Sequence, residues 1–294
     1  MRICILQHDI VWANPAENMQ HIEKLIDKQE NADMYVLCEM WSTGFVTQPK
    51  GIAACEPSPS LLWMKKKAHE RQAAIVGSMA VEQDGEYFNR LYFVKPDGEV
   101  EHYDKRHLFT YGGEDKYYSQ GKERVIVEWK GVRFLLGICY DLRFPVWSRN
   151  CSDNEMLNGK WLNGRSATLG DACVAERSKK WLNGKWLNGK SYDAILYVAN
   201  WPTPRKEVWK TLLRARAIEN QCYVVGVNRI GKDPSCQYCG DSAIIDAYGH
   251  TLAECGEGQE CCVGATLDME ALRAFRHKFP VLNDGEEFKI KIKS

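Results

Sequence analysis

Three segments of the chain carry side chains whose types and spacing could do covalent chemistry. In Arg133-Phe-Leu-Leu-Gly-Ile-Cys139-Tyr-Asp-Leu-Arg143-Phe-Pro145, an apolar strand runs straight into a cysteine. Polar residues follow, then Phe144-Pro145, which signals a helix start. A residue at such a bend projects from the carboxyl end of a strand, where sites in α/β sheets collect. Helix N–H groups beside it would lower the thiol pKa and favour the nucleophilic thiolate. In Tyr35-Val-Leu-Cys-Glu39-Met-Trp, a second apolar strand ends in a single carboxylate. A carboxylate against apolar walls suits a general base near neutrality. In Tyr103-Asp-Lys105-Arg-His-Leu-Phe109, a lysine sits among aromatic and apolar residues after a third strand. Its charge could oppose a developing oxyanion. Taken singly, each has a plainer reading: a packed cysteine, a solvated loop glutamate and a snorkelling lysine.

The elements around these residues must place all three together. Pro15 to Gln29 carries Met19, Ile22, Leu25 and Ile26 at helical spacing, with Asn14 as N-cap before a helix-starting proline. Residues 73–79 and 90–95 read as strands, and Pro96-Asp97-Gly98 turns the chain into a hairpin partner at Val100 to Tyr103. Residues 124–129 and 132–138 form a second hairpin around Lys130-Gly131. A strand at Ala194 to Ala199, a helix at Lys206 to Gln221, strands at Val224 to Val227 and Ala243 to Asp246, and a helix at Asp268 to His277 follow. Helices mixed with hairpins predict a layered α/β fold with mixed sheets.

The bulk properties narrow the function class. The chain has 294 residues, 45% of them hydrophobic, enough for a sizeable core. With 39 basic and 39 acidic residues, nothing points to nucleic acid or to an anionic membrane. No apolar run is long enough to span a bilayer, and the N-terminal apolar stretch is too short for a signal peptide. Twelve scattered cysteines do not make a disulfide scaffold, so free thiols in the cytoplasm are expected. Cys236-Gln-Tyr-Cys239 resembles half a zinc site but lacks a second half, and reads as a loop with two thiols. Cys261-Cys262 reads as packing at a strand start. No phosphate-binding glycine loop occurs, so no nucleotide is implied; without a second CxxC or a His pair at ligand spacing no metal is expected, and no cofactor is expected either.

One stretch fits no element. Met156-Leu-Asn-Gly-Lys160, Trp161-Leu-Asn-Gly-Arg165, Trp181-Leu-Asn-Gly-Lys185 and Trp186-Leu-Asn-Gly-Lys190 repeat one five-residue unit in two tandem pairs. Asn-Gly favours tight turns, so 151–191 is expected to be a surface insertion. It leads into the amino end of the strand at Ala194, the end away from the thiol. A Trp-rich binding device is the alternative.

Together, Glu39, the run Asp104-Lys105-Arg106-His107-Leu108 and the run Gly137-Ile138-Cys139-Tyr140-Asp141-Leu142-Arg143-Phe144-Pro145 resemble the nitrilase (carbon–nitrogen hydrolase) superfamily, in that family's order. Asn89-Arg-Leu, Val146-Trp-Ser-Arg-Asn150, Tyr197-Val-Ala-Asn-Trp-Pro202 and Arg214-Ala-Arg-Ala-Ile-Glu-Asn-Gln221 are similar to its bacterial omega-amidase branch. The resemblance implies a four-layer αββα sandwich over residues 1–280, interrupted at 151–191, with a tail at 281–294. It implies a homodimer and a small-molecule amide substrate. That substrate is an omega-monoamide of a dicarboxylic acid, such as alpha-ketoglutaramate or alpha-ketosuccinamate. Glu39 would be the base, Cys139 the nucleophile, and Lys105 with the Tyr140 backbone N–H the oxyanion holders. Glu114, in Tyr111-Gly-Gly-Glu-Asp115, aligns with a second family glutamate. Arg143, four residues past Cys139, would take the remote carboxylate, a task suited to a bidentate cation. Tyr111 and Trp201 would line the pocket. The alternatives are another amidase, a carbamoylase or a nitrilase of the same family, or a non-catalytic interaction protein using the insertion.

Overall fold

The structure, a computed structural model, describes residues 1–29, 31–152, 191–285 and 290. In the first half, β1 (Arg2–Gln7), α1 (Pro15–Asp27), β2 (Met34–Val36), β3 (Ala54–Cys55) and α2 (Pro59–Arg71) are followed by β4 (Ala74–Gln83), β5 (Glu86–Val94) and β6 (Val100–Asp104). In the second half, β7 (Ile126–Trp129), β8 (Val132–Ile138), α3 (Pro145–Ser148), β9 (Ala194–Ala199), α4 (Lys206–Glu219) and β10 (Tyr223–Asn228) come first. Next are β11 (Ile230–Lys232), β12 (Gln237–Cys239), β13 (Ala243–Ile245), β14 (Thr251–Glu254), β15 (Cys261–Thr266) and α5 (Met269–Lys278).

Two mixed sheets result. One has the order β15-β1-β2-β4-β5-β6, with β3 on β4; the other runs β14-β13-β10-β9-β8-β7. The β1-β2-β4 and β8-β9-β10 ladders are parallel, and the flanking pairs are antiparallel. Alternation along β1 separates the two faces of its sheet. Ile3 and Ile5 join Phe134, Leu136 and Val225 of the other sheet in one core. Cys4 and Leu6 face Ile22, Ile26 and Met64 of the helices in a second core. This is the period-two signature of a sheet buried on both faces. On the outer side of the other sheet, the bare backbone of Gly226 admits α4: a Cβ there would sit 2.5 Å from Leu213. The layers are therefore helix, sheet, sheet, helix.

Local rules hold at the caps. Asn14 Oδ1 accepts from Glu17 N at 3.2 Å at the start of α1, and Asp268 accepts from Ala271 N at 2.9 Å at the start of α5. Three expectations need correction. The β4–β5 hairpin extends to Gln83 and Glu86, beyond the apolar runs, because its polar tip pairs through backbone bonds. Cys239 belongs to the short β11–β12 ribbon and not to a loop. The helix expected after Cys139 is a 3₁₀ turn (Cys139–Arg143) followed by the four-residue α3. Nearly all of the repeat-bearing stretch, and most of 286–294, lie outside the described residues.

Candidate active site

The site gathers where the parallel strands end. Glu39 follows β2 by three residues, Cys139 follows β8 directly, and Asn200 and Trp201 follow β9. Lys105 leaves β6, and Asn89 points up from β5. Glu39, Lys105 and Glu114 are all fully buried. Lys105 Nζ donates to Glu39 Oε1 at 2.9 Å and to Glu114 Oε2 at 2.9 Å. Asn89 Nδ2 bridges the same two carboxylates at 2.8 and 3.0 Å, and Asn89 is itself held by Ser78 Oγ at 2.9 Å. Glu39 Oε2 accepts from the Asn200 backbone N at 2.7 Å, and Glu114 Oε2 from Phe109 N at 2.6 Å. Two buried carboxylates and one ammonium are tolerable here because every charge has several partners.

Cys139 sits beside this cluster. Its Sγ lies 4.0 Å from the Asn200 carbonyl, and the Glu39 and Lys105 charges both act on the thiol. Its backbone is in the left-handed region (φ 43°), a conformation that side chains rarely adopt outside constrained sites. The turn that imposes it is pinned by buried Asp141. Asp141 Oδ2 accepts from Ile138 N (2.9 Å) and Tyr103 OH (2.8 Å), and its Oδ1 accepts from His107 N (2.9 Å). One carboxylate thus ties the nucleophile turn to the loop carrying Lys105.

Burial, then the Glu39 charge, push the Cys139 thiol well above its ordinary pKa, with Lys105 pulling the other way. The lowering expected from a helix end is corrected. No long helix starts there, and the nearest strong field is that of a carboxylate. The thiol therefore rests neutral and needs a base. Burial alone would lower the Lys105 ammonium, but the Glu114 and Glu39 charges outweigh it and hold the group above the ordinary lysine value. Burial also raises the Glu114 carboxyl, Lys105 opposing and Glu39 reinforcing.

Beside the turn that follows the thiol lies a small open cavity of about 20 Å³ lined by Phe109, Tyr140, Arg143, Trp201, Pro202 and Arg205. Cys139 itself is not on that lining, but its chain neighbour Tyr140 is. Arg143 stacks on Trp201 at 5.0 Å. Asp141, the acid that could have paired with Arg143, is occupied by Tyr103, His107 and Ile138. Tyr111 is 86% exposed and stands at the outer edge, its ring 5.9 Å from Phe109. Asn89, Asn200, Asp141 and Arg205 were not singled out from sequence. Asn89 and Asn200 fall in stretches that carry the family resemblance, but a buried amide leaves no periodic or spacing signal of its own. No group of His, Cys, Asp and Glu able to hold a metal occurs among the described residues.

The family model described as carbon-nitrogen hydrolase matches residues 2–156 and 186–277. Over 291 residues the chain is 38% identical to omega-amidase YafV of Escherichia coli (strain K12), covering 99% of this chain and 98% of that one. It is 34% identical over 286 residues to 2-oxoglutaramate amidase of Bacillus subtilis (strain 168), covering 96% of each. Among solved structures it matches XC1258 of Xanthomonas campestris, a CN-hydrolase superfamily protein with an arsenic adduct in its active site. The TM-score is 0.85 at 38% identity, over 99% of both chains. The chain belongs to the carbon–nitrogen hydrolase family. It is a hydrolase of carbon–nitrogen bonds other than peptide bonds, built on the αββα sandwich.

Proposed function

We propose that the chain is an omega-amidase, releasing ammonia from omega-monoamides of dicarboxylic acids through a thioester on Cys139. The observation that carries this reading is the pairing of two unlike regions beside one thiol: a saturated Glu39–Lys105–Glu114 cluster and a small aromatic cavity holding Arg143. The names of the relatives, omega-amidase and 2-oxoglutaramate amidase, support the substrate class.

In this reading Glu39 takes the Cys139 proton as Sγ attacks the amide carbonyl carbon. A C–S bond forms, and the carbonyl electron pair moves onto oxygen. The Lys105 ammonium and the Tyr140 backbone N–H hold that oxyanion. Glu39 returns the proton to the amide nitrogen, the C–N bond breaks, and ammonia leaves a thioester behind. Water, deprotonated by Glu39, then attacks the thioester. The acid departs and the thiol regains its proton. One hard step becomes two easier ones. Glu114 keeps Lys105 charged and placed. Arg143 takes the remote carboxylate, Trp201 supports the guanidinium, and Tyr111 edges the entrance.

The chain works on small molecules, in the cytoplasm, as a homodimer in this reading. The described cysteines are free thiols, and no helix among the described residues is long and apolar enough to cross a membrane. Exposed Tyr248 and Phe279 lie near Phe275 at 4.1 and 6.4 Å between ring centroids, exposed Ile218 lies beside Gly249, and together they offer an apolar contact between copies. The repeats at 151–191 form an insertion in the domain of residues 1–280. The family model leaves 157–185 unmatched, which supports that placement.

Ammonia release from 2-oxoglutaramate, glutamine, asparagine and a simple nitrile tests the function. The expected kcat/KM is highest for 2-oxoglutaramate by at least about tenfold, since glutamine and asparagine place an α-ammonium beside the carboxylate, in a cavity that already holds two cations, and the nitrile has no amide. A preference for the nitrile would assign a different branch of the family.

A further inference from the structure

Arg205 is the one charged residue of the cavity that the route above does not use. Its backbone is fixed to the cavity wall: its carbonyl accepts from Trp201 Nε1 at 2.8 Å, and its N–H donates to Pro202 O at 3.0 Å. Its guanidinium lies over Phe109 at 5.5 Å and Tyr111 at 5.9 Å. Among the described residues that guanidinium makes no hydrogen bond and no ion pair, and the same is true of Arg143. Other arginines that are largely buried here are matched. Arg90 meets Asp104, Arg276 meets Asp193, Arg216 meets Glu219, and Arg229 meets Asp9. Both arginines are only partly covered, and neither has a buried guanidinium nitrogen without a partner, so both forks stay open to a ligand. Two open cations on one small cavity suit an anionic occupant.

We infer that Arg205 is a second substrate-binding cation, which with Arg143 reads a carboxylate and the oxo oxygen next to it. The inference rests on the omega-amidase reading and deepens it. A carboxylate presents one edge to a bidentate fork, and Arg143 on Trp201 takes it. A second fork at the same cavity needs a further acceptor. In a 2-oxo acid, the oxo oxygen lies beside the carboxylate and supplies one. The two guanidiniums stack on different walls, Arg143 on Trp201 and Arg205 on Phe109 and Tyr111, so they approach the same end of the substrate from different sides. Charge sets the direction of binding. The thiol end holds two carboxylates against one ammonium, while the cavity end holds two cations. The anionic end of the substrate is drawn away from the thiol, leaving the neutral amide to face it.

The test compares 2-oxoglutaramate with glutaramate, the same chain without the oxo group. The ratio of their kcat/KM values is measured in wild type, Arg205→Met and Arg205→Lys. A ratio taken on one preparation is blind to loss of folded protein. Arg205→Met should lower the ratio by about tenfold or more, through KM of the oxo substrate, because a donor built for an oxygen discriminates against the analogue lacking it. Arg205→Lys keeps the charge and loses the fork, so its ratio should fall between the two. A ratio within about twofold of wild type in Arg205→Met overturns the inference, whether both rates fall together or neither does. Wild-type enzyme that hydrolyses neither amide would instead remove the omega-amidase reading, a separate outcome.

Discussion

Two cationic regions flank Cys139, and they are built in opposite ways. Lys105 is fully buried, bonded to two carboxylates that are further fixed by Asn89, Asn200 and the Phe109 backbone. Arg143 and Arg205 are only partly covered and rest on aromatic rings, with no carboxylate among the described residues in contact. In the first region each charged group already has several internal partners, and the Asn200 side-chain oxygen beside Glu39 is a buried polar atom without one. The second keeps its hydrogen-bonding capacity open. A saturated network suits positioning and proton transfer, since its geometry is fixed before substrate arrives. An unsaturated one suits recognition.

The difference predicts opposite responses to the loss of a cation. Lys105→Met should abolish measurable turnover and lower stability by about 3–5 kcal/mol, because Glu39 and Glu114 would be left buried without their counter-charge. Denaturant unfolding and ammonia release together check this. An active variant of unchanged stability would erase the contrast. Arg143→Met should be milder. It should raise KM for carboxylate-bearing amides by about tenfold or more while moving the unfolding midpoint little, because no internal partner is lost. Equal KM effects on neutral short amides would remove its carboxylate role. The smallest contrast is that between Arg205→Met and Arg205→Lys on the oxo and non-oxo amides.

Much of this was legible in the sequence, for identifiable reasons. Glu39 and Cys139 stand where an apolar run ends, whereas Lys105 follows the mixed strand Val100–Asp104, and only the three together carry the resemblance that made each legible. Turn chemistry at Pro96-Asp97-Gly98 and Lys130-Gly131 placed two hairpins. Asn89, Asn200 and Asp141 were not legible as site residues, because their roles arise from sheet register and chain crossings. Asn200 meets Glu39 across 161 positions, and Tyr103 reaches Asp141 across 38. Arg205 gave no signal because its neighbours Phe109 and Tyr111 lie far away in the chain. The thiol pKa was misjudged because Phe144-Pro145 signals a helix start but not its length. A four-residue helix offers little dipole, whereas burial and Glu39 act at full strength.

The central claim is that Cys139 forms a thioester with the substrate acyl group. Wild-type enzyme mixed with 2-oxoglutaramate and quenched in acid should carry that acyl group on the peptide containing Cys139, seen as the mass of the substrate less ammonia. Cys139→Ala should carry no adduct and release no ammonia while unfolding at the wild-type midpoint. Ammonia release by folded Cys139→Ala, or an acyl group on another residue, would contradict the account.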